Sequence, residues 1–205
     1  MTIYSNLHGF GLVRCSWADQ SNDLKMQIYH DTEWGVPVHS DTKLFEFIVL
    51  ESAQAGLSWS TILRKRLDYQ KAFDNYDIKR VAGFSMVYVE KLLGSTSVNI
   101  VKNRLKVKSA ITNAKAFIKI QNDFGSFDNY IWGFIEGGKT KHNFFEDCKQ
   151  IPTRSEESIN LSMDLKARGF SFVGPTICYS LMQAIGMVND HTINCFRYRE
   201  LMERE

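Results

Sequence analysis

The sequence predicts an all-α fold. Apolar residues recur at helical spacing through most of the 205-residue chain. Runs of alternating polar and apolar residues are rare, which speaks against strands. Ser, Asp, Gly and Pro stand where such helices should start and stop. A hydrophobic content of 44% and a mean hydropathy of -0.25 suit a globular chain. The length suits one domain over 1–205, or two lobes on one core. No apolar run is long enough to span a bilayer, and 1–17 lacks the apolar stretch of a secretory signal. The expectation is a cytoplasmic protein whose four cysteines are reduced and free for metal.

Ser40 or Asp41 is a candidate cap for a helix through Leu44, Phe45, Phe47, Ile48 and Leu50, which Gly56 ends. Ser58 can cap the next, over 59–73, with Ile62, Leu63, Leu67 and Tyr69 as its apolar residues. A short helix is expected over 86–93. A long one is expected over 105–120, where Val107, Ala110, Ile111, Ala114 and Ile118 keep helical spacing. The aromatic segment 127–134 reads as helical. Ser155 before Glu156 and Glu157 looks like a capped start of a helix that ends at Gly169. Pro175 suits a first helical position, and that helix continues through Ile177, Leu181, Met182 and Ile185 to Gly186.

Two groups interrupt this regular pattern. The first is Glu51, which shares one stripe of its helix with Leu44 and Ile48 at i, i+4, i+7 spacing. Either it sits at the edge of the stripe and reaches water, or it is a pocket carboxylate that recognises a polar or cationic ligand. Gln54, Gly56, Leu57, Ser58 and Trp59 follow it and make a plausible wall for a flat aromatic ligand. The second is the quartet Cys15, His30, His191 and Cys195, which reads as one closed, tetrahedral, structural zinc site. His191 and Cys195 are four apart, so one helical turn would place both on one face. Trp17, Tyr29 and Trp34 flank the first two ligands and read as core filler or as a stacking cage. Cys148 and Cys178 lie outside any ligand pattern and read as buried or half-buried free thiols.

A net charge of +2 and a pI near 8.3 permit nucleic-acid binding without arguing for it. Lys102, Arg104, Lys106 and Lys108 alternate, which by itself is a solvated helix face.

Taken together, Arg14-Cys15-Ser16-Trp17, Tyr29-His30-Asp31-Thr32-Glu33-Trp34-Gly35-Val36-Pro37, Leu50-Glu51-Ser52-Ala53-Gln54-Ala55-Gly56-Leu57-Ser58-Trp59, Phe172-Val173-Gly174-Pro175-Thr176-Ile177-Cys178-Tyr179-Ser180 and Val188-Asn189-Asp190-His191 resemble the DNA-3-methyladenine glycosylase I family. The resemblance runs from Arg14 to Cys195. It implies a helix-hairpin-helix glycosylase fold whose termini are joined by one structural zinc on Cys15, His30, His191 and Cys195. It implies that Glu51 and Tyr29 hydrogen-bond a damaged base, that Trp59 stacks on it, and that Trp17 and Trp34 line or buttress the pocket. Gly56-Leu57 then matches the loop inserted into DNA beside the lesion. Lys102, Arg104 and Lys106 are candidate phosphate contacts. The implied activity is hydrolytic excision of 3-methyladenine flipped from alkylated duplex DNA, without strand cleavage, by a monomer.

The chain departs from that family at three places. Leu105 and Asn99 stand where the family's hairpin has glycines, and Met26 stands where a tyrosine precedes the histidine ligand. The leader 1–13 lies outside the resemblance. A rival reading is a non-catalytic, zinc-stabilised module that binds damaged DNA. Another is a zinc hydrolase, against which four protein ligands argue because they leave no open position for water.

Overall fold

The computed structural model describes residues 12–20 and 22–203, so most of the leader 1–13 lies outside the described residues. Among them the chain runs α1 (Ser16–Asp19), α2 (Leu24–Thr32), α3 (Asp41–Gln54), α4 (Trp59–Ala72), α5 (Ile78–Ala82), α6 (Met86–Gly94), α7 (Arg104–Phe124), α8 (Phe127–Trp132), β1 (Lys141–His142), α9 (Glu156–Ala167), α10 (Pro175–Ala184), β2 (Val188–Asn189) and α11 (Phe196–Met202). The all-α expectation holds. The one departure among described residues is the parallel pair β1–β2, with Lys141 opposite Val188 and His142 opposite Asn189. No described helix is long and apolar enough to cross a membrane.

α3 is the centre of the molecule. It packs on α4, α7, α8 and α10, and every residue from Leu44 to Ala53 is buried. A helix enclosed on all sides has no edge that reaches water, which settles the open question about Glu51: it is 4% exposed. α7 lies alongside, and Phe117 stacks on Phe127 at 4.0 Å and meets Phe45 edge-on at 5.5 Å.

The predicted caps form at Ser58, which accepts from the Thr61 N–H, and at Ser155, which forms a capping box with Ser158. Ser40 occupies the N-cap of α3, but its hydroxyl accepts no cap bond. Asp41 turns its carboxylate outward instead. It accepts from the backbone N–H groups of Phe127 and Asp128 at the start of α8 and from Gln121 Nε2. Asn103 caps α7 by accepting from the Leu105 and Lys106 N–H groups. Leu105 is thus ordinary first-turn helix, and neither it nor Asn99 has positive φ. Neither glycine of the expected hairpin is therefore needed for backbone conformation.

Segment 35–38 straps the end of α10. Gly35 N–H donates to Gln183 O and Val38 N–H to Ile185 O, each at 3.0 Å. Gly186 has φ +75° beneath the strap, and a Cβ there would lie 2.4 Å from backbone atoms of Val36 and Pro37. One expected local structure is corrected. His191 and Cys195 do not share a helical turn. They lie on a non-helical turn between β2 and α11, closed by the Cys195 N–H to Thr192 O bond at 2.8 Å, and Cys195 is the N-cap of α11. The reason is that His191 must stay at the end of β2 to reach back toward α2.

Candidate active site and metal centre

Cys15, His30, His191 and Cys195 converge, all buried, with their ligand atoms within 4.8 Å of one another. Cys195 Sγ lies 3.5 Å from His30 Nε2 and 3.6 Å from His191 Nδ1. Cys15 Sγ lies 3.6 Å from His191 Nδ1, and the two imidazole nitrogens are 3.2 Å apart. A tetrahedral ion bound at about 2.3 Å to sulfur and about 2.05 Å to nitrogen has edges of roughly 3.6 Å (S to N) and 3.3 Å (N to N). The four residues therefore have the spacing of a closed metal site, and they can hold a metal ion.

The surrounding groups fix the ligands. His30 Nδ1 donates to Asp31 at 2.8 Å, and Arg14 holds Asp31 through Nε and Nη2 at 2.9–3.0 Å. His191 Nε2 donates to Trp34 O at 3.0 Å. Each imidazole is thereby left with its other nitrogen as the ligand. Thr192 N–H and Oγ1 donate to Cys15 Sγ. Cys195 is the more acidic thiol of the pair, because the Cys15 thiol and then the two imidazoles stabilise its thiolate.

A cavity of about 430 Å³ opens beside this centre. Trp17, Tyr29, Trp34, Glu51 and Trp59, all named from the sequence, line it together with Gln54 and Met26. Trp17 and Trp34 meet edge-on at 5.0 Å. Each also contacts a ligand imidazole, Trp17 on His30 at 5.2 Å and Trp34 on His191 at 4.6 Å. They form a shared wall between metal centre and cavity. Tyr29 and Trp59 are tilted rings 5.2 Å apart.

Glu51 Oε2 is buried without a hydrogen-bond partner, and so is Trp59 Nε1. Burial holds the Glu51 carboxyl up at about 8. Tyr29 is pushed well above the usual phenol range by burial and then by the charge of Glu51. A buried acceptor, a buried donor and facing rings, all unfilled by protein, suit a flat heterocycle of electron-poor or cationic character.

The sequence reading missed the opposite wall. Thr176, Tyr179, Ser180 and Gln183 of α10 line the cavity, with Cys148, Ile151, Pro152 and Thr153. The α10 residues fall at i, i+3, i+4, i+7, a polar stripe on an apolar helix that would have marked them. Behind it, buried Asp190 accepts from Tyr179 Oη, Gln183 Nε2 and Asn143 Nδ2 at 2.7–2.8 Å. Asp190 thus joins the cavity wall to its neighbour His191.

Gly56 has φ +75° at an open turn beside the cavity, and Leu57 is 41% exposed there. Lys106 Nζ donates to Ala53 O and Ala55 O at 2.8 and 2.6 Å, clipping this turn to α7. Lys102 Nζ donates to Leu92 O at the end of α6 and to Val98 O in the α6–α7 connection. Arg104 pairs with Glu90. Lys65 Nζ holds Asn99 through its backbone and side-chain oxygens. The basic run is thus more than a solvated helix face. Lys102 and Lys106 are tied to backbone carbonyls, and Arg104 to a carboxylate.

The profile of the methyladenine glycosylase family matches residues 17–198. DNA-3-methyladenine glycosylase 1 of Escherichia coli (strain K12) is 42% identical over 185 residues, 90% of this chain and 96% of that protein. A crystal structure of 3-methyladenine DNA glycosylase I superposes with a TM-score of 0.85 at 43% identity, covering 90% of this chain and 98% of the other. A tyrosine-to-phenylalanine variant of 3-methyladenine DNA glycosylase I in complex with 3-methyladenine superposes with a TM-score of 0.84 at 33% identity, covering 87% and 95%.

Proposed function

The chain belongs to the methyladenine glycosylase family, and from that premise we propose that it excises 3-methyladenine from alkylated duplex DNA by hydrolysis. The observation that carries this reading is the unpartnered, buried carboxyl of Glu51 in a cavity walled by Tyr29 and Trp59. A base in a duplex must be flipped out first, at a cost of a few kcal/mol that a poorly paired, alkylated base lowers. Methylation at N3 makes the adenine cationic. Glu51 accepts hydrogen bonds from that cation, releasing its own proton to solvent, while the rings of Tyr29 and Trp59 face the positive purine. Normal adenine is neutral and leaves the burial of a Glu51 carboxylate uncompensated, which is the basis of selection.

The positive charge on the purine weakens the glycosidic bond, so the leaving base needs no acid. Water adds to the sugar carbon as oxocarbenium character develops there. Glu51 is the only carboxylate, and no lysine stands, among the described residues that line the cavity. That composition supports base release without a Schiff-base step. The Gly56–Leu57 turn, beside the cavity and braced by Lys106, is the element proposed to enter the duplex, with Lys102, Arg104 and Lys106 as candidate phosphate contacts that would exchange their present partners for DNA.

The donor set of Cys15, His30, His191 and Cys195 is that of structural zinc, and we take one zinc per chain as the resident ion. When bound, it would tie Cys15 and His30 to His191 and Cys195, and with all four protein ligands engaged it would supply no nucleophile. The decisive experiment incubates the protein with methylated DNA and chromatographs the released bases. Free 3-methyladenine is expected. Damage-specific binding without release would leave a recognition module instead.

A further inference from the structure

Three of the four cysteines are buried: Cys15 and Cys195 in the metal centre, and Cys178 in the core at 0% exposure. Cys148 is half-buried and lines the same cavity as Glu51 and Trp59. We propose that Cys148 is a covalent modification site, at which soft carbon electrophiles such as haloacetamides or maleimides attach and obstruct the base cavity. The obstruction rests on the functional reading above, whereas the site of attachment does not.

Local structure presents this thiol firmly. Cys148 opens a tight turn, Cys148–Gln150, whose start is held by a capping box. Asp147 accepts from the Lys149 N–H at 2.8 Å, and Gln150 Oε1 accepts from the Glu146 N–H at 2.8 Å. Cys148 and the following Ile151 rest against the apolar core, and Ile151, Pro152 and Thr153 continue the same wall. The cavity is also marked as a ligand site independently of the thiol. Glu51, 4% exposed, and Trp59 both line it, and Glu51 Oε2 and Trp59 Nε1 are buried without a hydrogen-bond partner. A group attached to Cys148 therefore occupies part of the volume that those two residues line.

The other thiols are poor competitors. Cys178 donates to Val173 O at 3.4 Å, and burial pushes it up to about 12. Cys15 and Cys195 are enclosed by the metal centre. With iodoacetamide, the Cys148 sulfur attacks the methylene carbon and an S–C bond forms. The C–I bond breaks, iodide leaves with the electron pair, and the thiol proton passes to solvent.

The test treats the metal-loaded protein with iodoacetamide and locates the adduct by peptide mass. Attachment at Cys148 ahead of the other three cysteines is expected, and saturating free 3-methyladenine should slow it. Excision should fall at least about tenfold, equivalent to about 1.4 kcal/mol. The Cys148→Ser variant should show the same rate before and after treatment. Labelled protein that excises as fast as unlabelled protein would overturn the proposal, as would equal inactivation of Cys148→Ser. Protein that releases no base before any reagent is added counts against the functional reading. In that case the adduct's position alone decides, and attachment elsewhere first would refute Cys148 as the site.

Discussion

Glu51 sets how the cavity responds to pH. Its folded-state value lies at about 8, against an ordinary 4.5, because it is buried without a partner. Between those values the folded chain keeps a proton that the unfolded chain has lost. Its stability therefore falls as pH rises through that window and carries no Glu51 penalty below it. Glu51→Gln removes the penalty. The variant should match the parent near pH 4 and exceed it near pH 8 by up to about 4 kcal/mol, scaled from roughly 1.4 kcal/mol per unit. Thermal melts at the two pH values check this, and a constant difference would count against it. Excision has the opposite slope, since the cationic base needs the carboxylate. The rate at low substrate should climb with pH to about 8 and then level. Glu51→Gln should lose about 10²–10³-fold in excision and lose that pH limb, while its affinity for undamaged duplex is unchanged. Glu51 was legible in the sequence because a carboxylate on an apolar stripe is a local anomaly. Cys148 was not, because its own segment gives no sign that it faces a cavity built from distant residues.

The elements around the cavity depend on two close fits. The first is the 35–38 strap over the end of α10. Gly186→Ala places a methyl group 2.4 Å from the Val36 and Pro37 backbone at φ +75°. The cost should be about 2–4 kcal/mol, from overpacking together with the left-handed conformation, and is read from the denaturant midpoint. The second is Asp190, which gathers three neutral donors behind α10. Asp190→Ala leaves those donors without their acceptor and should destabilise by about 3–5 kcal/mol. The helices α3, α4, α6, α7, α8, α9 and α10 were legible from periodicity, composition and caps. α1, α2, α5 and α11 were not; α1 and α5 span only four and five residues, too few for a helical period to show, and are ordered by what they pack against.

At the scale of the molecule, a metal ion held by the quartet would close a loop between Cys15 and His191, which are 176 positions apart. A cross-link over that span is worth about 5 kcal/mol by loop-closure entropy. Stripping the metal with a chelator should lower the melting temperature by about 10–20 °C, taking 2–4 °C per kcal/mol for a chain of this size. Hydrogen exchange should rise first in α2 and α11, before α7. Uniform loss of protection would place the stabilisation elsewhere. The same clasp seats Trp17 and Trp34 against the ligand imidazoles, so base binding should weaken along with stability.

The helical class, the quartet of Cys15, His30, His191 and Cys195, and the anomaly of a carboxylate at Glu51 were legible in the sequence itself, while the roles of Tyr29 and Trp59 came with the family resemblance. Periodicity and short motifs are local, and local signals survive without a structure. Three matters were decided only by tertiary structure. The enclosure of α3 on every side turned Glu51 from a possible edge residue into a buried one. Packing over long separations brought the α10 stripe and Cys148 to the same cavity. The need for His191 to face His30 across the molecule replaced an expected helical turn with a cap. Each depends on contacts between residues far apart in the chain, and of the α10 stripe and Cys148 only the stripe carried a local mark, its i, i+3, i+4, i+7 spacing.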